Sequence, residues 1–305
     1  MRSKKFLLIG IIFCVAILSL SLTSASFFDW ITGKGLSERS TTLSIVVSSI
    51  VVDSVSAIPA QNVTESGLTN ITFYFTASIP GGAVADINDS SARANFTKAT
   101  EDTRENLTCA LVGDIDADTA NYSCTIGMWY WDGTGSWTVT AAIADNNGNH
   151  AQNDTTTFTL NEWTCFVVSP AALTWPGVTP GATNRTSNND PSALNNTCNK
   201  DTTVQVKAID LQGESTPTDY IVSQNFTADI ETGNVCSGSG CLECDGTALQ
   251  NNTFKTIVGA TLPAGNNSNS QGMENIYYCL AKVSDSISSQ TYSTSGLGSW
   301  TLKVV

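Results

Sequence analysis

The sequence predicts an all-β protein with two β-sandwich domains after an N-terminal signal segment. Only 13% of the 305 residues are charged, whereas long helices depend on Lys, Glu and Arg. Ser, Thr and Asn supply most of the polarity, and short segments of alternating apolar and polar residues are separated by turns rich in Gly, Asn and Asp. The net charge of −13 argues against a nucleic-acid partner.

Residues 1–25 have the features of a secretory signal peptide. Basic residues near the start precede an apolar run from Phe6 to Leu18, and small residues lead up to Ala25. We expect cleavage after Ala25, with residues 26–40 as a polar spacer. The alternative is an uncleaved anchor, in which residues 6–30 alone would contact the membrane. Both interpretations place the rest of the chain outside the cell, at its surface.

Two further features indicate export. An even number of cysteines remains after the signal, which in an exported chain predicts disulfides: Cys109, Cys124, Cys165, Cys198, Cys236, Cys241, Cys244 and Cys279. Asn-x-Ser/Thr acceptors for glycosylation are about twice as frequent as chance would give: Asn62, Asn70, Asn88, Asn95, Asn106, Asn121, Asn153, Asn184, Asn195, Asn225, Asn251 and Asn266. The sequence therefore predicts a disulfide-bonded glycoprotein.

Residues 41–162 are predicted to form the first sandwich. Thr41–Val55 is rich in β-branched residues and predicts one or two strands. Ile71–Ala77 alternates Ile and Phe with Thr and Tyr, the pattern of a half-buried strand. The segment 84–106 is ambiguous, with a short helix within Ser90–Glu105 as one interpretation.

The clearest strands lie in the second half of this domain. Four segments alternate or run apolar at strand length: Leu107–Val112, Tyr122–Trp131, Trp137–Ala144 and Thr156–Leu160. Asp-Gly and Asn-Gly pairs in the turns between them supply the positive φ that tight hairpins need. Strands and turns at this spacing predict a sandwich or a barrel.

Gly135–Asn149 and Phe158–Leu160 resemble the last two strands of immunoglobulin-like domains in archaeal and bacterial surface proteins. The pattern is Gly-x-aromatic-x-Val, alternating apolar residues, Asp-x-x-Gly-Asn and a final strand. The resemblance implies an immunoglobulin-like or jelly-roll-like sandwich and no particular activity. Asp118–Cys124 also resembles the tyrosine corner of antibody-type domains. Cys109 is too close in sequence for their usual inter-sheet bridge, so a Cys109–Cys124 bridge across a neighbouring strand pair is the better interpretation.

Residues 163–305 are predicted to form the second sandwich. It is faintly similar, around Leu173–Gly181, to envelope β-sandwiches that assemble on cell surfaces. Its predicted strands are Thr202–Leu211, Ile221–Val222, Phe226–Ile230, Phe254–Leu262, Ile276–Val283, Gln290–Thr294 and Trp300–Val305. Residues 176–197, 231–247 and 264–272 are predicted to be loops because they are rich in Gly, Asn, Ser and Pro.

A metal site is one interpretation of the clustered cysteines. Cys236, Cys241, Cys244 and Cys279 have the Cys-x4-Cys-x2-Cys…Cys spacing of plant-type iron–sulfur proteins, and four thiolates also suit zinc. Disulfides are favoured because an exported chain meets oxidising conditions. We therefore expect no cofactor.

An acidic turn offers a second metal hypothesis. Asp114, Asp116 and Asp118 have the 1, 3, 5 spacing of a calcium loop. Thr119 stands where that loop needs Gly, and Thr125 where it needs Glu. An ordinary acidic turn is the favoured interpretation, since Asp stabilises turns by hydrogen bonding to nearby backbone.

Met128–Trp131, with Trp137 across the hairpin, is the densest aromatic patch. Trp129 and Trp131 share one face of a strand and could stack on sugar rings. Packing in the core between the sheets is the favoured interpretation, since one face of a sandwich strand must be buried.

The sequence gives little support for catalysis. His150, the single histidine, lies in a polar turn, and the common hydrolase and phosphate-loop motifs are absent. We expect a non-enzymatic extracellular surface protein with a structural or adhesive role, whose partners are other surface proteins, itself or glycans. One alternative is a subunit of a surface filament or lattice that donates Thr41–Val55 to a neighbour's sheet. Another is a carbohydrate-binding module that uses Trp129 and Trp131.

Overall fold

The computed structural model describes residues 49–230, 244–265 and 272–305. Within them the chain is all-β, which confirms the predicted fold class, and the described residues belong to one compact unit. The signal, the spacer and residues 41–48 of the predicted first strand lie outside the described residues.

Eight strands build the first part of this unit. They are β1 (Val51–Val55), β2 (Leu68–Ser78), β3 (Ile87–Thr97), β4 (Arg104–Asn106), β5 (Ala110–Asp114), β6 (Thr119–Trp129), β7 (Gly135–Asp145) and β8 (His150–Leu160), with a single 3₁₀ turn at Val84–Asp86. They form two four-stranded antiparallel sheets, in the orders β1-β2-β6-β5 and β4-β3-β7-β8.

The inward faces of these two sheets enclose the first hydrophobic core. In β2, Ile71, Phe73 and Phe75 are buried while the residues between them face outward, as the alternation predicts. The rings of Phe73 and Phe96 lie 5.5 Å apart across the two sheets. The sheets therefore pack face to face, in the manner of a sandwich.

The helix considered for Ser90–Glu105 is wrong. This segment supplies most of β3, together with the turn into β4. Ala92, Ala94 and Phe96 are buried at every second position, a strand period that helical packing cannot satisfy. Pairing of β3 with β7 over the full core face overrides the weak β-propensity of Ala and Asn.

Twelve strands follow in the second part. They are β9 (Phe166–Ser169), β10 (Thr183–Thr186), β11 (Ser192–Asn196), β12 (Thr202–Lys207), β13 (Leu211–Gly213), β14 (Tyr220–Ile221), β15 (Phe226–Asp229), β16 (Thr247–Ala248), β17 (Phe254–Leu262), β18 (Met273–Lys282), β19 (Tyr292–Ser293) and β20 (Thr301–Val304), with a 3₁₀ turn at Ser223–Asn225. The sheet orders are β16-β15-β18-β11-β9 with β10 also on β18, β17-β12-β20, and β14-β13-β19.

A second hydrophobic core lies among these strands. Phe226 packs edge-on against Trp300 and Trp175, at ring distances of 5.2 and 5.0 Å. The indole nitrogen of Trp300 donates to the carbonyl of Ile209 at 2.8 Å, so burial of this large ring leaves no polar atom without a partner. The two cores are separate clusters, although Cys198 packs into the first.

The predicted loop at 176–197 is wrong over much of its length, because it contains β10 and β11. β11 lies between β18 and β9 and pairs with both. Its Asn- and Ser-rich sequence looks like a turn, but the side chain of its buried Asn196 has hydrogen-bond partners. The Asn196 amide donates to the carbonyls of Lys200, Leu262 and Pro263. Of the other two predicted loops, most residues lie outside the described part of the chain.

Among the described cysteines, three pairs lie at disulfide distance. Cys109 and Cys124 connect the approach to β5 with its neighbour β6, with Cα atoms 4.6 Å apart, within one sheet as the sequence analysis proposes. The other two pairs, which the sequence alone could not assign, are Cys165–Cys198 and Cys244–Cys279. Such pairs indicate an oxidising environment of the extracellular type.

Candidate binding surface

Trp129 and Trp131 form a stacked pair on the outside of the first sandwich. Trp129 ends β6 and Trp131 follows in the turn to β7; their rings lie 4.7 Å apart and within 6° of parallel. Trp129 is 38% exposed, Trp131 is half-buried, and Tyr130 packs edge-on against Trp131 at 4.8 Å. The pair therefore leaves the ring of Trp129 partly open to solvent.

The structure divides the aromatic patch between core and surface. Met128 and Trp137 are fully buried, as the core-packing interpretation expects. That interpretation is wrong for Trp129, because β6 points its even-numbered residues inward and its odd-numbered residues outward. Trp129 and Trp131 do share a face, as predicted, but they stack on each other and do not lie side by side as a two-ring platform.

A buried ion pair fixes the turn that carries the two tryptophans. The carboxylate of Asp132 is fully buried and accepts hydrogen bonds from the Arg104 guanidinium and, at 2.7 Å, from the backbone N–H of Trp129. The indole N–H of Trp137 donates to the carbonyl of Gly133 at 2.9 Å. These hydrogen bonds hold the backbone of Trp129 in place before any ligand arrives.

Asn199 holds the same turn from the other side. Its amide donates to the carbonyls of Asp132 and Asn161 at 3.3 and 3.0 Å, and its oxygen accepts from the N–H of Trp163 at 2.9 Å. An ion pair between Lys200 and Glu162 lies beside it. Sequence reasoning missed Arg104, Asp132 and Asn199, since no local motif connects residues so far apart in the chain.

Hydrogen bonds within the acidic turn close it. Asp116 accepts a hydrogen bond from the backbone N–H of Asp118 at 3.1 Å, and this bond, with others from Thr119, holds the pKa of Asp116 below its usual value. The N–H of Ile115 also donates to the carbonyl of Thr119. This geometry agrees with the favoured interpretation, an acidic turn closed by its own side chains.

The structure describes only part of the cysteine cluster considered as a metal site. Cys244 is paired with Cys279, so two of the four thiolates that an iron–sulfur or zinc site would need are bound to each other. Cys236 and Cys241 lie outside the described residues. His150 is the first residue of β8 and is exposed, with no described hydrogen bond from its ring.

The acceptor asparagines differ in accessibility. Three are exposed: Asn62, Asn70 and Asn251. The others in the described ranges are half-buried: Asn88, Asn95, Asn106, Asn121, Asn153, Asn184, Asn195 and Asn225. The nitrogen to which a glycan would be attached already donates to a carbonyl in Asn106 and Asn153. Asn266 lies outside the described residues.

The chain matches no protein-family model and no curated protein. In residues 49–230, 244–265 and 272–305, no helix is both long and apolar enough to span a bilayer.

Proposed function

We propose that this chain is a non-enzymatic, extracellular cell-surface protein with a structural or adhesive role. The observation that carries the proposal is the outward-facing Trp129–Trp131 stack, held rigid on a disulfide-bonded β framework. Large aromatic side chains on the surface of a soluble domain are typical of binding sites. The acceptor asparagines and the resemblance of Gly135–Asn149 to surface-protein domains support the same role.

Surface labelling tests the location. Intact cells that express the protein are treated with a membrane-impermeant amine reagent and a protease, and peptides of the chain are identified by mass spectrometry. We expect labelled lysines, cysteine pairs intact without reductant, and glycan mass on exposed acceptors such as Asn70. A chain that is labelled only after lysis, with free thiols, would contradict the proposal.

A specific observation favours adhesion through carbohydrate. Trp129 is a flat, partly exposed aromatic ring whose backbone is fixed by Asp132, which suits stacking against the C–H face of a pyranose ring. The net charge of −13 disfavours acidic sugars, so neutral hexoses are the ligand class that this surface fits.

Binding of neutral oligosaccharides, measured on an array and by calorimetry, tests this second proposal. Trp129→Ala should abolish binding while leaving the circular dichroism spectrum unchanged. Trp163 is 47% exposed and lies outside the stack, so Trp163→Ala is the matched control and should bind like wild type. Equal loss in both variants, or no binding by wild type, would rule out carbohydrate recognition at Trp129.

A further inference from the structure

Two lysines in the second part of the chain converge on one exposed aromatic ring. The Nζ atoms of Lys207 and Lys303 lie 5.4 and 5.6 Å from the centre of the Phe254 ring. Phe254 is 37% exposed, Lys303 is exposed and Lys207 is half-buried. Because the face of an aromatic ring attracts cations, the ring offsets part of the repulsion between the two ammonium groups. We call these three residues the lysine–phenylalanine cluster.

The sheet β17-β12-β20 positions this cluster. Phe254 begins β17 and is paired with Lys207 of the central strand β12, whereas Lys303 lies on β20, across β12 from β17. Val204 and Val206 are buried, so the odd-numbered residues of β12 point outward. Ladder hydrogen bonds hold the three strands together, so the backbone beneath the cluster is fixed before any ligand arrives.

Neither ammonium group of the cluster has a carboxylate partner. Within the ranges that the structure describes, no ion pair includes Lys207 or Lys303. Asp201 and Asp210, which flank β12 in the sequence, each accept a hydrogen bond from a backbone N–H at 2.7 Å elsewhere in the fold. Acidic residues outnumber basic ones by 27 to 14 in the whole chain, so two unpaired cations at one ring form a local site of opposite charge.

Neutral hydrogen-bonding groups surround the cluster on the same face of the sheet. The side chains of Gln205 and Thr301 lie beside the lysines on β12 and β20, and the Gln205 amide donates to the hydroxyl of Thr256 on β17 at 3.1 Å. At the other end of this face, Thr203 and Thr261 line an open cleft of about 280 Å³. Hydroxyl and amide groups beside a cationic pair suit a carboxylate carried on a ring rich in hydroxyls, which is the chemistry of a hexuronic acid.

We propose that the lysine–phenylalanine cluster binds the carboxylates of an acidic polysaccharide built of hexuronate units. One carboxylate lies between the two ammonium groups and accepts charge-assisted hydrogen bonds from both. Hydroxyls of the same and adjoining units bond to Gln205, Thr256 and Thr301. Phe254 is a positioning residue, because it holds the two cations close together. At physiological ionic strength the Debye length is about 8 Å, so the acidic residues elsewhere on the chain are largely screened from this ligand.

Calorimetry with oligogalacturonate tests the ligand class. The oxidised, secreted protein carries Trp129→Ala, so that the neutral-sugar site proposed above does not contribute and the two proposals can fail separately. We expect binding that weakens as the salt concentration rises, because the ion pairs are exposed. Dextran, which is neutral, and polyglutamate, which carries carboxylates without sugar hydroxyls, are the comparison ligands. Absence of oligogalacturonate binding, or equal binding of dextran or polyglutamate, would overturn the proposal.

Removing one charge tests the site. In the same background, Lys303→Gln should weaken oligogalacturonate binding about tenfold, since a charge-assisted hydrogen bond is lost. The matched control is Lys282→Gln, because Lys282 is also an exposed lysine but lies on β18 in another sheet. This control changes the net charge equally and should bind without loss. Equal affinity of the two variants would place the ligand elsewhere and would contradict the proposal.

Ring substitutions test the positioning role of Phe254. Phe254→Leu keeps an apolar side chain but has no ring to attract the lysines, so binding should weaken about threefold, in line with an exposed cation–π contact. Phe254→Tyr retains the ring and should bind like the parent protein. Circular dichroism checks that both variants are folded. Similar weakening in the two variants, or none in Phe254→Leu, would show that the ring does not hold the lysine pair.

Discussion

The hydroxyl of Tyr122 donates a 2.6 Å hydrogen bond to the carboxylate of Asp89 and thereby connects the two sheets of the first sandwich. Tyr122 is fully buried on β6, whereas Asp89 lies on β3 of the facing sheet. The sequence around Tyr122 resembles a tyrosine corner, in which the hydroxyl bonds to backbone a few residues upstream. Here the partner is a side chain 33 positions away, so the local motif serves a different contact.

Removing this hydroxyl should weaken the contact between the sheets. Tyr122→Phe keeps the ring and its stacking on Phe75, and loses one hydrogen bond to a charged acceptor. We expect a loss of about 1–2 kcal/mol in the free energy of unfolding, measured by urea titration. Tyr74→Phe, on the exposed face of β2, is the control and should change little. Equal stability of Tyr122→Phe and wild type would refute the prediction.

Removing Arg104 should lower the free energy of unfolding by more than removing the Tyr122 hydroxyl, because the fully buried Asp132 carboxylate would lose its ion-pair partner. For Arg104→Met we expect a loss of about 3–5 kcal/mol by urea titration, with altered tryptophan fluorescence from the turn. The ion pair between Lys200 and Glu162 is solvent-exposed, so Lys200→Met should cost less than about 1 kcal/mol. Similar losses in the two variants would contradict this assignment.

The disulfide beside β5 should stabilise the first sandwich by restricting the unfolded chain. Cys109 and Cys124 are 15 positions apart, so replacing both with Ala should lower the free energy of unfolding by about 2–3 kcal/mol. The measurement is thermal and urea unfolding of both oxidised proteins. The paired control, Leu107→Ala with Thr125→Ala, alters exposed positions close to the two cysteines and keeps the bridge and the acceptors Asn106 and Asn121. An unchanged unfolding midpoint after replacement of Cys109 and Cys124 would contradict this prediction.

Stability should depend on pH through Asp190. Burial is the main cause that raises the pKa of Asp190 to about 6, while hydrogen bonds from Tyr278 and Ser187 act in the opposite direction. The folded protein thus keeps this proton up to about pH 6, whereas an unfolded Asp releases it near pH 4. The contribution of protonated Asp190 to the free energy of unfolding is therefore full below about pH 4 and is lost as the pH rises through 6.

Asp190→Asn isolates this contribution. Wild type should lose stability between pH 4 and pH 7 as Asp190 releases its proton, whereas Asp190→Asn has no proton to release there. The melting temperature of the variant should therefore rise by a few degrees relative to wild type over this range. This difference corresponds to about 1 kcal/mol in the free energy of unfolding, because Asp190 is partly exposed. Asp154→Ala, at an exposed position of β8, is the control and should change the melting temperature little. A constant difference between Asp190→Asn and wild type across this range would be inconsistent with a raised pKa.

The parts of the fold that sequence predicts are those where a strand buries one face only. Alternation in β2, β6 and β7 identified those strands, and the Asn-Gly turn between β7 and β8 contains Gly148 at a φ of 84°. Strand β11 does not show in the local pattern because its Asn196 side chain is held by amide hydrogen bonds to the carbonyls of Leu262 and Pro263. Such bonds are made with distant backbone, which no local pattern records.

The candidate surface was predicted in part. The sequence identified Trp129 and Trp131 and their shared face, but the choice between core and surface depends on which face of β6 the sandwich buries. Arg104 and Asn199, which hold the turn, come from 28 residues before and 67 after Asp132. Contacts between residues so far apart in the chain depend on how the strands are arranged in the fold. The spacing of residues in the sequence therefore does not predict them.

The pairing of Cys165 with Cys198 also determines how the chain bears mechanical load. When its ends are pulled apart, tension follows covalent bonds, and the disulfide lets it bypass β9, β10 and β11. Those three strands are shielded from the pull while the bridge is intact. Reduction adds the 33 positions between the cysteines to the stretched path, about 110 Å of extended chain, so the redox state sets how far the protein lengthens under force.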